Sequence, residues 1–126
     1  LSADPYFYEN RHLIPLLIED SIQPGGAENW IFYNTTKFRG KKLIVKAGME
    51  YTCQDAGLYN LFVWQGSGDF GGFSVAAGNF EMDELMITHN RAKSPMLVQN
   101  TGEEDLVIFK FFGPEINSDV PMIPHY

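Results

Sequence analysis

Apolar side chains recur at every second position in short segments of the chain, and turn-forming residues separate these segments. Residues 41–47 alternate polar and apolar side chains before a turn at Gly48, and residues 58–65 keep the same period. A period of two is typical of β-strands, and glycine-rich pairs mark the turns between them. The sequence predicts strands at residues 12–18, 28–33, 41–47, 51–55, 58–65, 73–76, 85–88, 96–99 and 106–112, with a short hairpin around residues 66–72.

The spacing of these segments favours one all-β architecture. Strands recur at intervals of about ten residues, which is typical of an antiparallel sandwich or barrel. No amphipathic helix and no internal repeat is evident. Pro15 restricts the first segment to an edge strand, because proline cannot donate a ladder hydrogen bond. Residues 1–11 are expected to form an extended arm, and residues 113–126, which carry three prolines, an irregular tail.

Composition narrows the class of protein further. A chain of 126 residues with 44% hydrophobic and 20% charged residues is the size and type of a single globular domain. The formal net charge of −7 argues against nucleic acid and anionic membranes as partners, because both require many basic contacts. Cys53 is the only cysteine, which excludes an intrachain disulfide and a multi-thiolate zinc site. A reducing, cytoplasmic location is therefore expected.

Three glycine-containing segments resemble the sequence motifs of the cupin superfamily. They are residues 48–68, residues 78–80, and residues 94–102, which include the Asn100-Thr101-Gly102 turn. The resemblance implies an antiparallel cupin-type jelly-roll barrel. In that family, two His and a Glu of the first motif and a His of the second bind one metal ion inside the barrel.

The residues at the four ligand positions of these motifs differ from those of the family. Counting back from Gly66, the two histidine positions fall on Cys53 and Asp55, and the glutamate position on Tyr59. Counting back from Asn100, the last histidine position falls on Met96. The resemblance therefore implies the barrel without its usual metal ligands, and we expect no metal and no other cofactor in it.

A second resemblance concerns the parent protein. Residues 28–41 and 111–114 resemble the C-terminal cupin portion of mannose-6-phosphate or glucose-6-phosphate isomerase-like proteins. If so, a catalytic metal would lie in another barrel. The chain begins at Leu1 and not at Met, which also leads us to expect a part of a longer, two-cupin protein.

Strand alternation places the motif positions on one face, which predicts a pocket at the barrel mouth. Its lining is largely apolar with a few polar groups and suits a small organic ligand. The resemblance to sugar-phosphate isomerases implies that this ligand is a small carbohydrate. Asp55 is the candidate general base or sugar-hydroxyl ligand, although no partner is evident and the alternative is a turn-stabilising role. Cys53 is expected to be a buried small side chain and not a nucleophile. The alternative for the whole pocket is a barrel filled by its own side chains. The predicted pocket residues are Cys53, Asp55, Tyr59, Leu61, Met96 and Val98.

Two further clusters suggest charged ligands. Five of the nine basic residues fall within residues 37–46 and form a candidate phosphate site, although protection of an exposed edge strand is the favoured explanation. These are Lys37, Arg39, Lys41, Lys42 and Lys46. An atypical metal site would need Asp83, Glu84 and His89 together with Asp55.

The central strand also predicts a partner. Its second face carries Leu58, Asn60, Phe62 and Trp64, so both faces are mostly apolar and both should be covered. We expect a second cupin domain or a homodimer there.

Three functional hypotheses remain open. The first is a domain of a sugar- or sugar-phosphate-isomerase-like protein that serves in assembly or forms part of a substrate pocket; the parent activity would be aldose–ketose isomerisation. The second is a stand-alone small-molecule-binding or structural cupin without catalysis, and the third is a metal-dependent enzyme with atypical ligands.

Overall fold

The computed structural model describes residues 16–32 and 39–113, and these residues are almost entirely β-structure. Within them lie ten strands, one 3-10 turn at Glu19–Ser21 and one short helix, α1, at His89–Ala92. The strands are β1 Leu16–Leu17, β2 Gly26–Phe32, β3 Arg39–Val45, β4 Glu50–Cys53, β5 Tyr59–Gln65, β6 Ser67–Phe70, β7 Phe73–Ala76, β8 Glu84–Ile87, β9 Met96–Gln99 and β10 Leu106–Phe112.

In the described part of the chain the strands form two antiparallel sheets, which confirms the predicted all-β, jelly-roll class. The larger sheet has the order β1-β2-β3-β10-β5-β8, and the smaller has the order β4-β9-β6-β7. Strand β10 lies between β3 and β5, so its side chains reach the middle of the barrel. No helix among residues 16–32 and 39–113 has the length and apolar character needed to cross a bilayer.

The segment that begins at His89, which no predicted strand includes, contains a short helix. The structure has a single helical turn there, closed by the Ala92 amide donating to the Thr88 carbonyl at 2.8 Å. Buried Ala92 anchors this turn, and its carbonyl accepts from the Asp55 amide at 2.7 Å. A helix of four residues is about one turn, much shorter than the window of about 11–18 residues over which a sequence reveals an amphipathic helix, so the sequence did not indicate it.

The core follows the predicted alternation. Tyr59, Leu61 and Val63 of β5 are buried, whereas Asn60 and Trp64 are exposed. The same phase buries Ile108 and Phe112 of β10. The remaining large, fully buried side chains include Leu43, Val45, Tyr51, Phe70, Val98 and Leu106.

The predicted turn at Asn100 fixes the start of β10. The side-chain nitrogen Nδ2 of buried Asn100 donates to the Val45 carbonyl at 2.9 Å and to the Glu104 carbonyl at 2.8 Å. Its side-chain oxygen accepts from the Gly102 amide at 2.9 Å. One side chain therefore joins the end of β3 to the loop before β10, which sets the position of both strands inside the barrel.

Candidate functional site

Three neighbouring strands of the larger sheet direct charged side chains into the barrel. Glu28 of β2, Lys41 of β3 and Lys110 of β10 are buried, and Asp55, which follows β4, is buried beside them. Lys41 and Lys110 are directly opposite each other in the antiparallel register. We call Glu28, Lys41, Asp55 and Lys110 the ionic cluster.

Direct ion pairs connect the whole ionic cluster. Lys110 Nζ lies 2.9 Å from Glu28 Oε1 and 2.9 Å from Asp55 Oδ2. Lys41 Nζ lies 2.7 Å from Asp55 Oδ1. Two ammonium groups face two carboxylates, so the cluster has no net charge. This balance is necessary because an unpaired buried charge costs several kcal/mol.

The pKa values of Asp55 and Lys110 reflect this pairing. Burial alone would raise the pKa of Asp55, but Lys110 and Lys41 together hold it below its usual value. Burial alone would lower the pKa of Lys110, but the nearby negative charges, first among them Glu28, raise it well above its usual value. Both groups are therefore charged at neutral pH.

Aromatic side chains surround the two ammonium groups. Lys41 Nζ lies 4.9 Å from the ring centre of Trp30 and 5.4 Å from that of Phe112. Lys110 Nζ lies 5.2 Å from the ring centre of Tyr59. Ring faces attract cations most strongly where water is excluded, so these contacts support the buried charges.

The Tyr51 hydroxyl lies within hydrogen-bond distance of the second carboxylate oxygen of Glu28. This hydroxyl lies 2.8 Å from Glu28 Oε2 and 2.9 Å from the Ser21 carbonyl oxygen, and its single proton is donated to one of them at a time. Burial, and then the charge of Glu28, raise the pKa of Tyr51 above its usual value. The phenol therefore stays protonated and acts as a donor.

A cavity of about 260 Å³ lies above the ionic cluster. Glu28, Lys41, Tyr51 and Cys53 line it. The remaining lining residues belong to the loop before β2 and to the end of β4, and they are Ile18, Asp20, Ser21, Gln23, Thr52 and Gln54. We call this space the mouth cavity.

A pair of hydrogen bonds holds the rim of the mouth cavity together. The Gln23 amide donates to the Thr52 carbonyl at 2.6 Å, and its oxygen accepts from the Thr52 amide at 2.9 Å. The rim segments are 29 positions apart in sequence, so these bonds fix the opening of the cavity.

The predicted pocket residues all point into the barrel, but they separate into two groups. Cys53 lines the mouth cavity, and Asp55 belongs to the ionic cluster directly below it. Burial is the first cause that raises the pKa of the Cys53 thiol, which fits the predicted inert side chain. The other four, Tyr59, Leu61, Met96 and Val98, are part of the packed core.

The predicted basic cluster does not form one patch. Lys41 is buried and paired with Asp55, whereas its neighbour Lys42 is half-buried on the other face of β3 and Lys46 is exposed at the strand end. Lys37 and the side chain of Arg39 lie outside the described residues. The favoured explanation, an exposed edge strand, is wrong, because β3 pairs with β2 on one side and with β10 on the other. The phosphate site stays a prediction.

The described residues also test the fit of a metal ion. Among residues 16–32 and 39–113, no group of three or more His, Cys, Asp or Glu side chains is arranged to hold one, and this includes Asp83, Glu84 and His89. Of the four cupin ligand positions, Asp55 alone has a carboxylate, and both its oxygens already face lysines. The side chains at these positions therefore do not fit a divalent ion.

Sequence reasoning missed Glu28, Tyr51 and Lys110. Lys110 keeps the phase of Ile108 and Phe112 within an otherwise apolar strand, so the alternation itself marks it as inward-facing. Glu28 likewise keeps the phase of Trp30. A charged residue at an inward-facing strand position is therefore the sequence feature that could have identified Glu28 and Lys110.

Comparison with solved structures identifies the fold. The chain resembles an RmlC-like cupin protein from Ralstonia eutropha, with a TM-score of 0.55 and 16% identity over 88% of this chain and 71% of that one. It also resembles the capsular polysaccharide assembling protein CapF from Staphylococcus aureus, with a TM-score of 0.61 and 12% identity over 86% of this chain. This chain has the cupin fold.

A third structure with this cupin fold is a variant of the oxalate decarboxylase OxdC from Bacillus subtilis, with a TM-score of 0.60 and 16% identity over 79% of this chain. That decarboxylase has Mn(II) centres. The chain spans 30% of CapF and 28% of OxdC. No protein-family model and no curated protein matches the chain. The narrower resemblance to sugar-phosphate isomerases stays a prediction.

Proposed function

We propose that this cupin domain binds a small, uncharged, polyhydroxylated molecule of the carbohydrate class in the mouth cavity. The observation that carries the proposal is the lining of that cavity, where a buried carboxylate and a buried ammonium group stand side by side with amide and hydroxyl groups. A sugar hydroxyl both donates and accepts hydrogen bonds, so it suits a wall that presents Glu28 as acceptor and Lys41 as donor.

The charge balance of the ionic cluster favours a neutral ligand. Lys41 is the cluster's only ammonium group that lines the cavity, and Asp55 already pairs with it at 2.7 Å. Glu28 and Asp20 in the same lining add negative charge. A phosphate group entering here would meet two carboxylates and a lysine that is already neutralised, which opposes its binding.

The size of the cavity agrees with a ligand of monosaccharide dimensions. Its volume of about 260 Å³ is just below the range, from about 300 Å³, in which pockets for drug-sized ligands begin. The paired rim formed by Gln23 and Thr52 limits how far the opening can widen without losing two hydrogen bonds.

The experiment is an NMR titration of the isotope-labelled chain with neutral monosaccharides and, separately, with their 6-phosphates. We expect saturable amide shifts at Gln23, Thr52 and Gln54 with at least one neutral sugar, and weaker shifts with its phosphate. Gln23→Ala should weaken binding, whereas Gln99→Ala, which changes an amide side chain outside the cavity, should not.

Two results would overturn this proposal. One is the absence of saturable shifts at the rim with every neutral sugar while the protein remains folded. The other is tighter binding of the phosphorylated sugar, which would support the sugar-phosphate hypothesis instead.

A second candidate function is aldose–ketose isomerisation by a longer parent protein. The specific observation in its favour is that the Glu28 carboxylate lines the mouth cavity while Tyr51 and Lys110 fix its orientation, as a proton acceptor requires. The test is isomerase activity of the full-length protein, in which Glu28→Gln should abolish turnover without abolishing sugar binding. Full activity of that variant would exclude Glu28 as the base.

A further inference from the structure

The Lys110 ammonium group lies beside residues at the ligand positions of the cupin motifs. Lys110 Nζ is 2.9 Å from Asp55 Oδ2 and 5.2 Å from the ring centre of Tyr59, and Cys53 is buried in the same core cluster as Tyr59. These three residues occupy the first three ligand positions of the motif comparison. The fourth, Met96, is paired across the smaller sheet with Cys53.

The surroundings of Lys110 are those of a bound cation. Its side chain is fully buried, and it lies between two carboxylates, Glu28 and Asp55, at equal distances of 2.9 Å. Tyr59 adds a second observation, because its hydroxyl is buried, forms no hydrogen bond to a nitrogen or oxygen atom of the described residues, and has the Cys53 thiol as its polar neighbour. A divalent ion also prefers carboxylate oxygens, and here the ammonium group of Lys110 already pairs with one oxygen of each carboxylate.

We propose that the Lys110 ammonium is the built-in cation of this barrel and excludes a divalent ion from the site. The carboxylates of Glu28 and Asp55 then serve to bind the lysine where other barrels of this fold would hold a metal. This inference does not depend on the proposed carbohydrate ligand, because Lys110 does not line the mouth cavity.

A consequence is that removing the lysine should uncover a latent metal site. Lys110→Ala removes the positive charge and leaves room between the two carboxylates. Mn²⁺ and Co²⁺ are suitable probes, because carboxylates bind both and Co²⁺ also reports a thiolate ligand such as Cys53 through its absorption spectrum. Waters would complete the coordination.

The experiment compares four forms of the chain. Wild type, Lys110→Ala, Lys110→Met and Lys42→Ala are each dialysed against Mn²⁺ or Co²⁺, desalted and analysed for bound metal. Lys110→Met removes the same charge but fills the space, and Lys42→Ala removes a lysine from the other face of the larger sheet. We expect a stoichiometric ion in Lys110→Ala and none in the other three.

Each other outcome has a definite meaning. A folded Lys110→Ala that binds no ion overturns the proposal, and so does stoichiometric binding by the wild type or by Lys110→Met. If Lys110→Ala does not fold alone, it is refolded from urea with and without Co²⁺. Refolding that requires the ion supports the proposal, whereas failure under both conditions overturns it.

Discussion

The two faces of the larger sheet show opposite chemistry at the same place. On the inner face, Lys41 and Lys110 are buried and ion-paired. On the outer face, the rings of Trp64 and Phe109 lie 5.9 Å apart, and Trp64 is 64% exposed. Phe109 and Lys110 are neighbours in the chain, so one strand directs a ring outward and a charge inward. A sheet that covers a core usually directs apolar side chains inward and charged side chains outward, which is the reverse of this arrangement.

This difference teaches that the two faces meet different requirements. A buried charge is tolerated only where partners compensate it, so the inner face is a closed set of contacts in which every member depends on the others. An exposed aromatic side chain contributes little to the free energy of unfolding, so substitutions on the outer face should have small effects on stability. The inner face therefore determines the stability of the barrel, and the outer face is available for contacts beyond it.

Removing Asp55 is the strongest test of the inner face. Asp55→Ala leaves Lys41 buried without its carboxylate and Lys110 with Glu28 alone, and we expect a loss of about 3–5 kcal/mol in the free energy of unfolding. Urea denaturation measures it. Asp105→Ala, which removes an exposed carboxylate, should cost less than about 0.5 kcal/mol. A loss at Asp55 as small as that at Asp105 would contradict the importance of the ionic cluster.

Protonation should act on the same carboxylate more mildly, because it removes the charge and keeps the side chain. The pKa of Asp55 is lowered in the folded state, so its stabilisation is present above the unfolded value of about 4 and is lost as pH falls through the folded value. We expect the urea midpoint to fall in acid by more in the wild type than in Asp55→Asn. Identical acid profiles for the two would show that Asp55 does not contribute.

The stability of the fold at alkaline pH should depend on other ionisable groups inside the barrel. The pKa values of Lys110, Tyr51 and Tyr59 are raised in the folded state, so the folded chain keeps protons that the unfolded chain releases above about pH 10. Stability should therefore also decrease as pH rises through that range. Urea midpoints measured from neutral to alkaline pH provide the test.

The strands were predictable from sequence, because alternation and turn residues are local signals. Residues 58–65 predicted β5, which the structure has at Tyr59–Gln65, and the Asn100 turn was found from its motif. Helix α1 was not predicted, because a single helical turn is too short to show a repeating pattern of apolar residues.

The ionic cluster was predictable only in part. The sequence indicates that Lys110 points inward, but its partner Glu28 lies 82 positions away, and only the order of the strands brings them together. For the same reason Asp55 was without an evident partner in the sequence, although two lysines flank it in the barrel.

The outer face should show the smallest effect on stability. Trp64 packs against Phe62 and Phe109 but remains mostly exposed, so Trp64→Ser should cost about 1 kcal/mol at most. Val63→Ser, one position earlier and on the inner face, should cost at least about 2 kcal/mol because it leaves space and a hydroxyl in the core.

The same variant tests the predicted homodimer. If a second copy covers the outer face, light scattering should give a dimer mass for the wild type and a monomer mass for Trp64→Ser. Val63→Ser should instead lower the free energy of unfolding. A wild-type mass that does not change on substitution of Trp64 would remove this face as the dimer interface. The two adjacent residues thus separate what holds the barrel together from what the barrel presents to a partner.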